Sequence, residues 1–235
     1  MRLVLFDIDG TLVWADGAGR AAMEAALLRV YGTGGSIESY DLGGRTIKEI
    51  VRDLMSEAGL PPEVIWAEFD EYCDALTDDF QQRVQGNRHN IQPCPGAIKL
   101  VSTLATRNDI VVGLLTGNLP TVSMLKLGAA GFDVNWFKVG SYGDRSDIRS
   151  DLLPLALEQA TVLTGVHFTG KRVVIVGDTA IDIACGAGIG ARSIGVLTGE
   201  GTQDELLSAN ADYIFSDLTD TQAVLKAIYA PVPGG

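Results

Sequence analysis

Six short, almost unbroken apolar runs limit what this chain can fold into: residues 3–6, 110–115, 137–139, 173–176, 193–197 and 213–215. Most are continuous rather than alternating, as in parallel strands covered on both faces. From residue 96 onward helical patterns separate them. Ala97, Val101 and Leu104 form one apolar stripe, with Pro95 placed for a first turn. Thr202 and Glu205 have the spacing of a capping box, and Ala223, Val224, Ala227 and Ile228 line a last helix. Strands alternating with helices predict an α/β fold, a doubly wound parallel sheet of Rossmann-like type.

Residues 14–95 break that rhythm. Met23, Leu27 and Val30 mark one amphipathic helix, and Ile47, Ile50, Val51, Leu54 and Ala58 a second, opened by Thr46 and Glu49 as a capping box. Ile65, Phe69, Tyr72, Leu76 and Phe80 mark a third after Pro61-Pro62. An all-helical stretch inserted after the first strand of an α/β sheet predicts a separate cap. The expected division is residues 1–13 plus 96–235 as core and 14–95 as helical cap, with a turn-rich re-entry at Gln92-Pro93-Cys94-Pro95-Gly96. There is no internal repeat, and the Pro/Gly-rich end at 230–235 is expected to fray.

Polar groups gather where the apolar runs stop. The first run ends in Asp7-Ile8-Asp9-Gly10-Thr11-Leu12, the second in Thr116-Gly117-Asn118 before Pro120, the fourth in Gly177-Asp178-Thr179 with Asp182 shortly after. Residues i and i+2 share one side of an extended chain, so Asp7 and Asp9 can converge. Thr116 and the N–H groups after it offer a seat for phosphate oxygens. In open α/β sheets ligands bind beyond the carboxyl ends of the strands, which brings Asp7, Asp9, Thr116, Asp178 and Asp182 to one crevice. Taken singly, each Asp could be an ordinary cap or turn residue. Together, closing separate apolar strands, they read as a site. Carboxylates so crowded repel unless a cation joins them, and Mg²⁺ suits the set.

These motifs resemble those of the haloacid dehalogenase-like (HAD) hydrolases. Phe6-Asp7-Ile8-Asp9-Gly10-Thr11-Leu12 is similar to their first signature, Leu115-Thr116-Gly117-Asn118 to the second, and Val176-Gly177-Asp178-Thr179 through Asp182 to the fourth. The cap position is that of the phosphoglycolate-phosphatase and β-phosphoglucomutase branch. The resemblance implies that Asp7 is a nucleophile forming an aspartyl phosphate and Asp9 the general acid and base. It implies that Mg²⁺ is held by Asp7, Asp178 and the backbone carbonyl of Asp9, with Asp182 in support. Thr116, Gly117 and Asn118 would bind the phosphoryl group.

The family's third signature, a Lys, is missing. The corresponding stretch holds Arg145 and Arg149, and Arg149, nearest the expected helix from about 150 to 163, is the preferred replacement; a guanidinium fork suits phosphate oxygens. Lys126 and Lys138 read as surface residues. In capped relatives a loop placed like Gly43-Gly44-Arg45-Thr46 reads the substrate, which makes Arg45 a candidate as well as a plain turn residue. Gly186-Ala187-Gly188-Ile189-Gly190-Ala191 matches a dinucleotide fingerprint in the wrong context, helix before strand, and reads as a helix end and turn. His89 and His167 read as loop residues.

Composition narrows the partners. Thirty acidic against 18 basic residues give a net charge of −12, which speaks against nucleic acid or anionic membranes. Cys73, Cys94 and Cys185 form no pair motif and read as buried, reduced thiols. Met1-Arg2 leads straight into the first strand without a signal segment, so a cytoplasmic location is expected. The expected activity is that of a Mg²⁺-dependent phosphatase acting on a small phosphorylated metabolite. A phosphosugar mutase of the same branch and a catalytically silent binding protein are the alternatives. Asp9 argues against a dehalogenase or a phosphonoacetaldehyde hydrolase.

Overall fold

The computed structural model describes residues 1–231. Strand β1 (Arg2–Phe6) leads into a short β2 (Val13–Trp14), after which four helices follow: α1 (Ala18–Tyr31), α2 (Ile47–Glu57), α3 (Pro62–Ala67) and α4 (Phe69–Gln85). The chain returns through β3 (Gln92–Pro93), antiparallel to β2, with Val13 opposite Pro93. Then come α5 (Ala97–Ala105), β4 (Ile110–Leu115), α6 (Pro120–Ala129), β5 (Val139–Ser141), α7 (Leu152–Thr164) and β6 (Val173–Gly177). The last part holds α8 (Ala180–Cys185), β7 (Arg192–Val196), α9 (Gln203–Ser208), β8 (Tyr213–Phe215) and α10 (Thr221–Tyr229).

The main sheet runs β5-β4-β1-β6-β7-β8, with every pairing parallel. The chain first builds outward from β1 to β4 and β5, then returns to build from β6 on the other side. That reversal puts the switch point, where ligands bind in doubly wound sheets, between β1 and β6. The period of two along each strand sorts the core. Val4, Phe6, Val112, Leu114, Val174 and Val176 pack with α5, α6 and α10, whereas Leu3, Leu5, Val111, Val173 and Ile175 pack with α7 and α8. The helices α1–α4 bury a cluster of their own around Leu27, Leu54, Tyr72 and Phe80, joined by Leu119 and Val122 from the start of α6.

The fold class is as expected, but several local readings change. The third strand lies at Val139–Ser141, not 137–139, because a 3₁₀ turn at Val134–Trp136 and packing of Phe137 against Phe132 occupy the preceding residues. The single helix expected after Pro61-Pro62 is two, α3 and α4, broken at Glu68. Gly96 caps α5, so Pro95 precedes the helix rather than entering its first turn. Thr46 caps α2 through the Glu49 amide, but the Glu49 carboxylate bonds to Arg45 instead of closing the box. Thr179–Asp182 and Thr202–Glu205 form complete boxes. Residues 186–191 are a helix end and a 3₁₀ turn.

The three thiols are free; Cys94 and Cys185 are buried, but Cys73 is only partly so. Burial pushes Cys73 and Cys94 up to about 12 and Cys185 to about 11, which keeps them unreactive. Among the described residues no helix is long and apolar enough to cross a membrane. Of the expected frayed end at 230–235, residues 232–235 lie outside the described residues.

Candidate active site

The ladder between β1 and β6 continues one residue past β1, where the Asp7 amide donates to the Val176 carbonyl at 2.9 Å. The chain then folds tightly on itself, with the Leu12 and Val13 amides both donating to the Ile8 carbonyl. Gly10 makes this turn possible. Its φ is +73°, and a Cβ there would meet the Asp178 carboxylate and the Gly199 backbone. Asp178 follows directly on β6 and is 2% exposed. Its Oδ1 accepts from Thr11 Oγ1 at 3.1 Å and its Oδ2 from the Glu200 amide at 3.0 Å, so a loop after β7 closes one side.

Asp182 stands at the third position of α8, where its Oδ2 accepts from the Thr179 amide and hydroxyl. Its Oδ1 accepts from Arg149 Nη2 at 2.5 Å. The same Nη2 donates to Asp7 Oδ1 at 2.8 Å and to the Leu115 carbonyl at 2.8 Å. Arg149 is 5% exposed, in a 3₁₀ turn just before α7, whereas Arg145 is exposed. One guanidinium therefore ties together the ends of β1, β4 and the start of α8.

One carboxylate oxygen from each of Asp7, Asp178 and Asp182 lies within 4.8 Å of the others, and all three residues are buried. The electrostatics follow from that crowding. Burial, then the charge of Asp182, pushes Asp7 up to about 7 despite Arg149. Burial and the charges of Asp182 and Asp7 push Asp178 up to about 8. Burial disfavours the charged form of Arg149, yet Asp182 and Asp7 outweigh it and raise its pKa. Fully ionised, three acids around one base would carry an excess of two negative charges, and oxygen donors so arranged fit a hard divalent cation that offsets it.

A second group of side chains stands beside the first. Thr116, fully buried after β4, accepts from Asn118 Nδ2 at 2.9 Å. Asn118 Nδ2 also donates to Asp9 Oδ2 at 2.7 Å. Lys126 overturns the expectation of a surface residue: it is 2% exposed, and its Nζ donates to both Asp9 oxygens at 2.7 Å and to Asn118 Oδ1 at 2.8 Å. Lys138 is exposed, as expected.

The helical layer closes over this crevice. The first two amides of α2, which have no partner inside their own helix, donate outward, Ile47 to the Gly117 carbonyl at 2.9 Å and Lys48 to that of Gly143 at 3.3 Å. Gly117 must lack a side chain, since a Cβ would overlap the Arg45 carbonyl. Arg52 adds an ion pair to Asp147 at 2.5 Å. Arg45 lines the cavity, bonded to Glu49 at 2.5 Å with its guanidinium 5.4 Å from the Tyr40 ring centroid. Arg20 pins the strap leading there through the carbonyls of Ile37 and Tyr40. The cavity beneath this layer is about 470 Å³, in the range of small-ligand sites. His89 Nδ1 lies 2.8 Å from the Asp16 carbonyl and His167 is exposed; neither lines the cavity.

From sequence alone Thr11 and Arg20 have no role of their own, and Lys126 is set aside as a surface residue. Thr11 belongs to the first motif and could have been found there. Lys126 falls with Val122, Ser123 and Leu127 on the buried face of α6, a spacing that marks it as inward-facing. Arg20 carries no such signal, because its partners are carbonyls of an irregular strap.

Fold and site together define an α/β enzyme whose acidic residues meet at the switch point of a parallel sheet. A family model, haloacid dehalogenase-like hydrolase, matches residues 1–190, and the chain belongs to that family. Solved structures of similar fold include a hydrolase from Pseudomonas syringae (20% identity, 96% of this chain and 98% of that one, TM-score 0.69). A predicted phosphatase from Clostridium acetobutylicum is similar at 21% identity, 96% and 98% coverage and TM-score 0.69. A predicted phosphoglycolate phosphatase from Haemophilus somnus 129pt is similar at 18% identity, the same coverage and TM-score 0.66. No curated protein matches the chain in sequence.

Proposed function

We propose that the protein is a Mg²⁺-dependent phosphatase that hydrolyses a small phosphomonoester through an aspartyl phosphate. The observation that carries this reading is the Asp7–Asp178–Asp182 cluster with one guanidinium inside it and Asp9 alongside. Arg149 holds Asp7 Oδ1, which leaves Oδ2 to attack phosphorus as the bond to the leaving oxygen breaks. Asp9 gives that oxygen a proton and later takes one from the water that attacks the acyl phosphate, releasing inorganic phosphate and free Asp7. Thr116 and Asn118 bind the phosphoryl oxygens, and Arg149 offsets their charge. Asp7, Asp178 and the Asp9 carbonyl would hold Mg²⁺, supported by Asp182; bound there, the ion would supply positive charge to the transferring phosphoryl group.

Residues 14–95 act in this reading as a cap, docked through Ile47 and Lys48, with Arg45 facing the substrate. The net charge of −12 does not oppose a phosphorylated metabolite, because Arg149, Lys126 and the cation set the local field. The same charge argues against nucleic acid or an anionic membrane as a partner, and the working location is the cytoplasm. The test is a phosphate-release screen over phosphoglycolate, sugar phosphates and nucleoside monophosphates, with Mg²⁺ and with EDTA. Metal-dependent release from at least one ester is expected. Interconversion of hexose phosphates without release would point to a mutase.

The raised acids also predict a linkage. Asp7 and Asp178 titrate near 7 and 8 in the folded protein, far above ordinary carboxyls, so the folded state binds more protons than the unfolded chain between about pH 4 and 8. Their contribution to stability is present below that window and is lost as pH rises through it. A divalent cation competes with those protons. Stabilisation by Mg²⁺ should therefore be small at pH 5 and large at pH 8, reaching about 2.7 kcal/mol at a hundredfold excess over Kd. Thermal melts with Mg²⁺ and with EDTA at both pH values check this; an equal shift at both would contradict it.

A further inference from the structure

Lys126 is the second buried cation of the crevice, and its partners are unusual for a lysine that merely fills space. All its polar contacts go to Asp9 and Asn118, each of which closes a different strand-end motif. The lysine side chain is 2% exposed while that of Asp9 is 47% exposed. Both residues line the cavity, but Asp9 is much the more open of the two, so its carboxylate is the group presented to bound substrate. Asn118 Nδ2 adds a further N–H to Asp9 Oδ2 at 2.7 Å. Two buried donor groups holding both oxygens leave the carboxylate little torsional freedom.

The lysine is itself fixed by the helical layer. Its Nζ lies 5.7 Å from the Phe80 ring centroid of α4. Gly19 of α1 faces it so closely that an added Cβ would sit 3.5 Å from Nζ.

We infer that Lys126 is a positioning residue which, with Asn118, clamps the Asp9 carboxylate at the cavity wall so that its proton transfers to and from the substrate's oxygen run from one fixed geometry. This rests on the phosphatase reading above. The reaction is unchanged by it: Asp9 gives the proton and takes it back, while Lys126 takes no part in the bond changes. Its effect is confined to steps that need Asp9.

Leaving-group dependence separates that role from a structural one. The kcat/KM of a phosphatase reads the steps through release of the leaving alcohol. An alkyl alkoxide needs a proton from Asp9, and p-nitrophenolate does not. Lys126→Met should lower kcat/KM about 10- to 100-fold on the best alkyl phosphate of the screen, and less than about 3-fold on p-nitrophenyl phosphate. Lys126→Gln, closer to the lysine in size and without its charge, should show the same asymmetry and serves if the first variant does not fold. Equal losses on both esters, or none on either, would overturn the inference. Failure of the wild type to hydrolyse either ester, or full activity of Asp7→Asn, would instead bring down the phosphatase reading and this inference with it.

Discussion

Asp7→Asn should abolish turnover while leaving the fold intact. An amide oxygen at this position still accepts the hydrogen bond that Arg149 Nη2 now gives to Asp7 Oδ1, so the tie between β1 and the turn before α7 survives. What disappears is the nucleophile, and with it the covalent route, at a cost on the order of 10⁴-fold or more in kcat. The substitution also removes one of three crowded acids. Asp178 is pushed up partly by the charge of Asp7, so the variant without metal should be at least as stable as the parent at pH 8. Activity on the screened ester and thermal melts in EDTA read both outcomes. Turnover within tenfold of wild type would sink the proposed chemistry.

That outcome turns on residues legible in the sequence, because apolar runs and the polar residues that end them encode strand and strand-end together. Runs 3–6, 110–115 and 173–176 became β1, β4 and β6, and Asp7, Thr116 and Asp178 stand directly beyond them. Each acid or hydroxyl follows directly on its apolar run, so the end of the strand itself carries it to the carboxyl edge of the sheet. The failures share a different origin. Lys126 was read by its charge, although its position on α6 places it on the buried face with Val122 and Leu127. Charge predicts exposure only where no partner waits inside, and here Asp9 and Asn118 do. The break at Glu68 and the shift of β5 come with aromatic contacts, Trp66 with Phe69 and Phe132 with Phe137, whose geometry the apolar pattern alone does not specify. Arg149 was preferred over Arg145 by its nearness to α7, and the structure puts Arg149 inside and Arg145 outside.

The choice between those two arginines carries the second large effect. Arg149→Ala would leave Asp7, Asp178 and Asp182 crowded together without the guanidinium that bonds two of them and the Leu115 carbonyl. Breaking a buried ion pair from one side costs about 3–5 kcal/mol. The cost has a direction in pH. At pH 5, Asp7 and Asp178 already hold protons in the folded state, and the loss of a positive neighbour raises them further, so little repulsion develops. At pH 8 the same acids ionise or must be held neutral at a cost, and the full penalty appears. Arg149→Ala should therefore be far more destabilised at pH 8 than at pH 5 in EDTA, with part of the loss recovered by Mg²⁺, which shields the same carboxylates. Its kcat/KM should fall on the order of 10²- to 10³-fold, because charge on the phosphoryl oxygens loses a fixed partner. Arg149→Lys should lie between, since an ammonium has three N–H donors for the three acceptors that Nη2 now serves, but carries them on a differently shaped side chain. Arg145→Ala, at an exposed site, should change stability by no more than about 0.5 kcal/mol. Denaturant melts at both pH values and kcat/KM for each variant measure these differences. Indistinguishable behaviour of Arg149→Ala and Arg145→Ala would remove Arg149 from the site, and with it the argument that an arginine does here what a lysine does in related hydrolases.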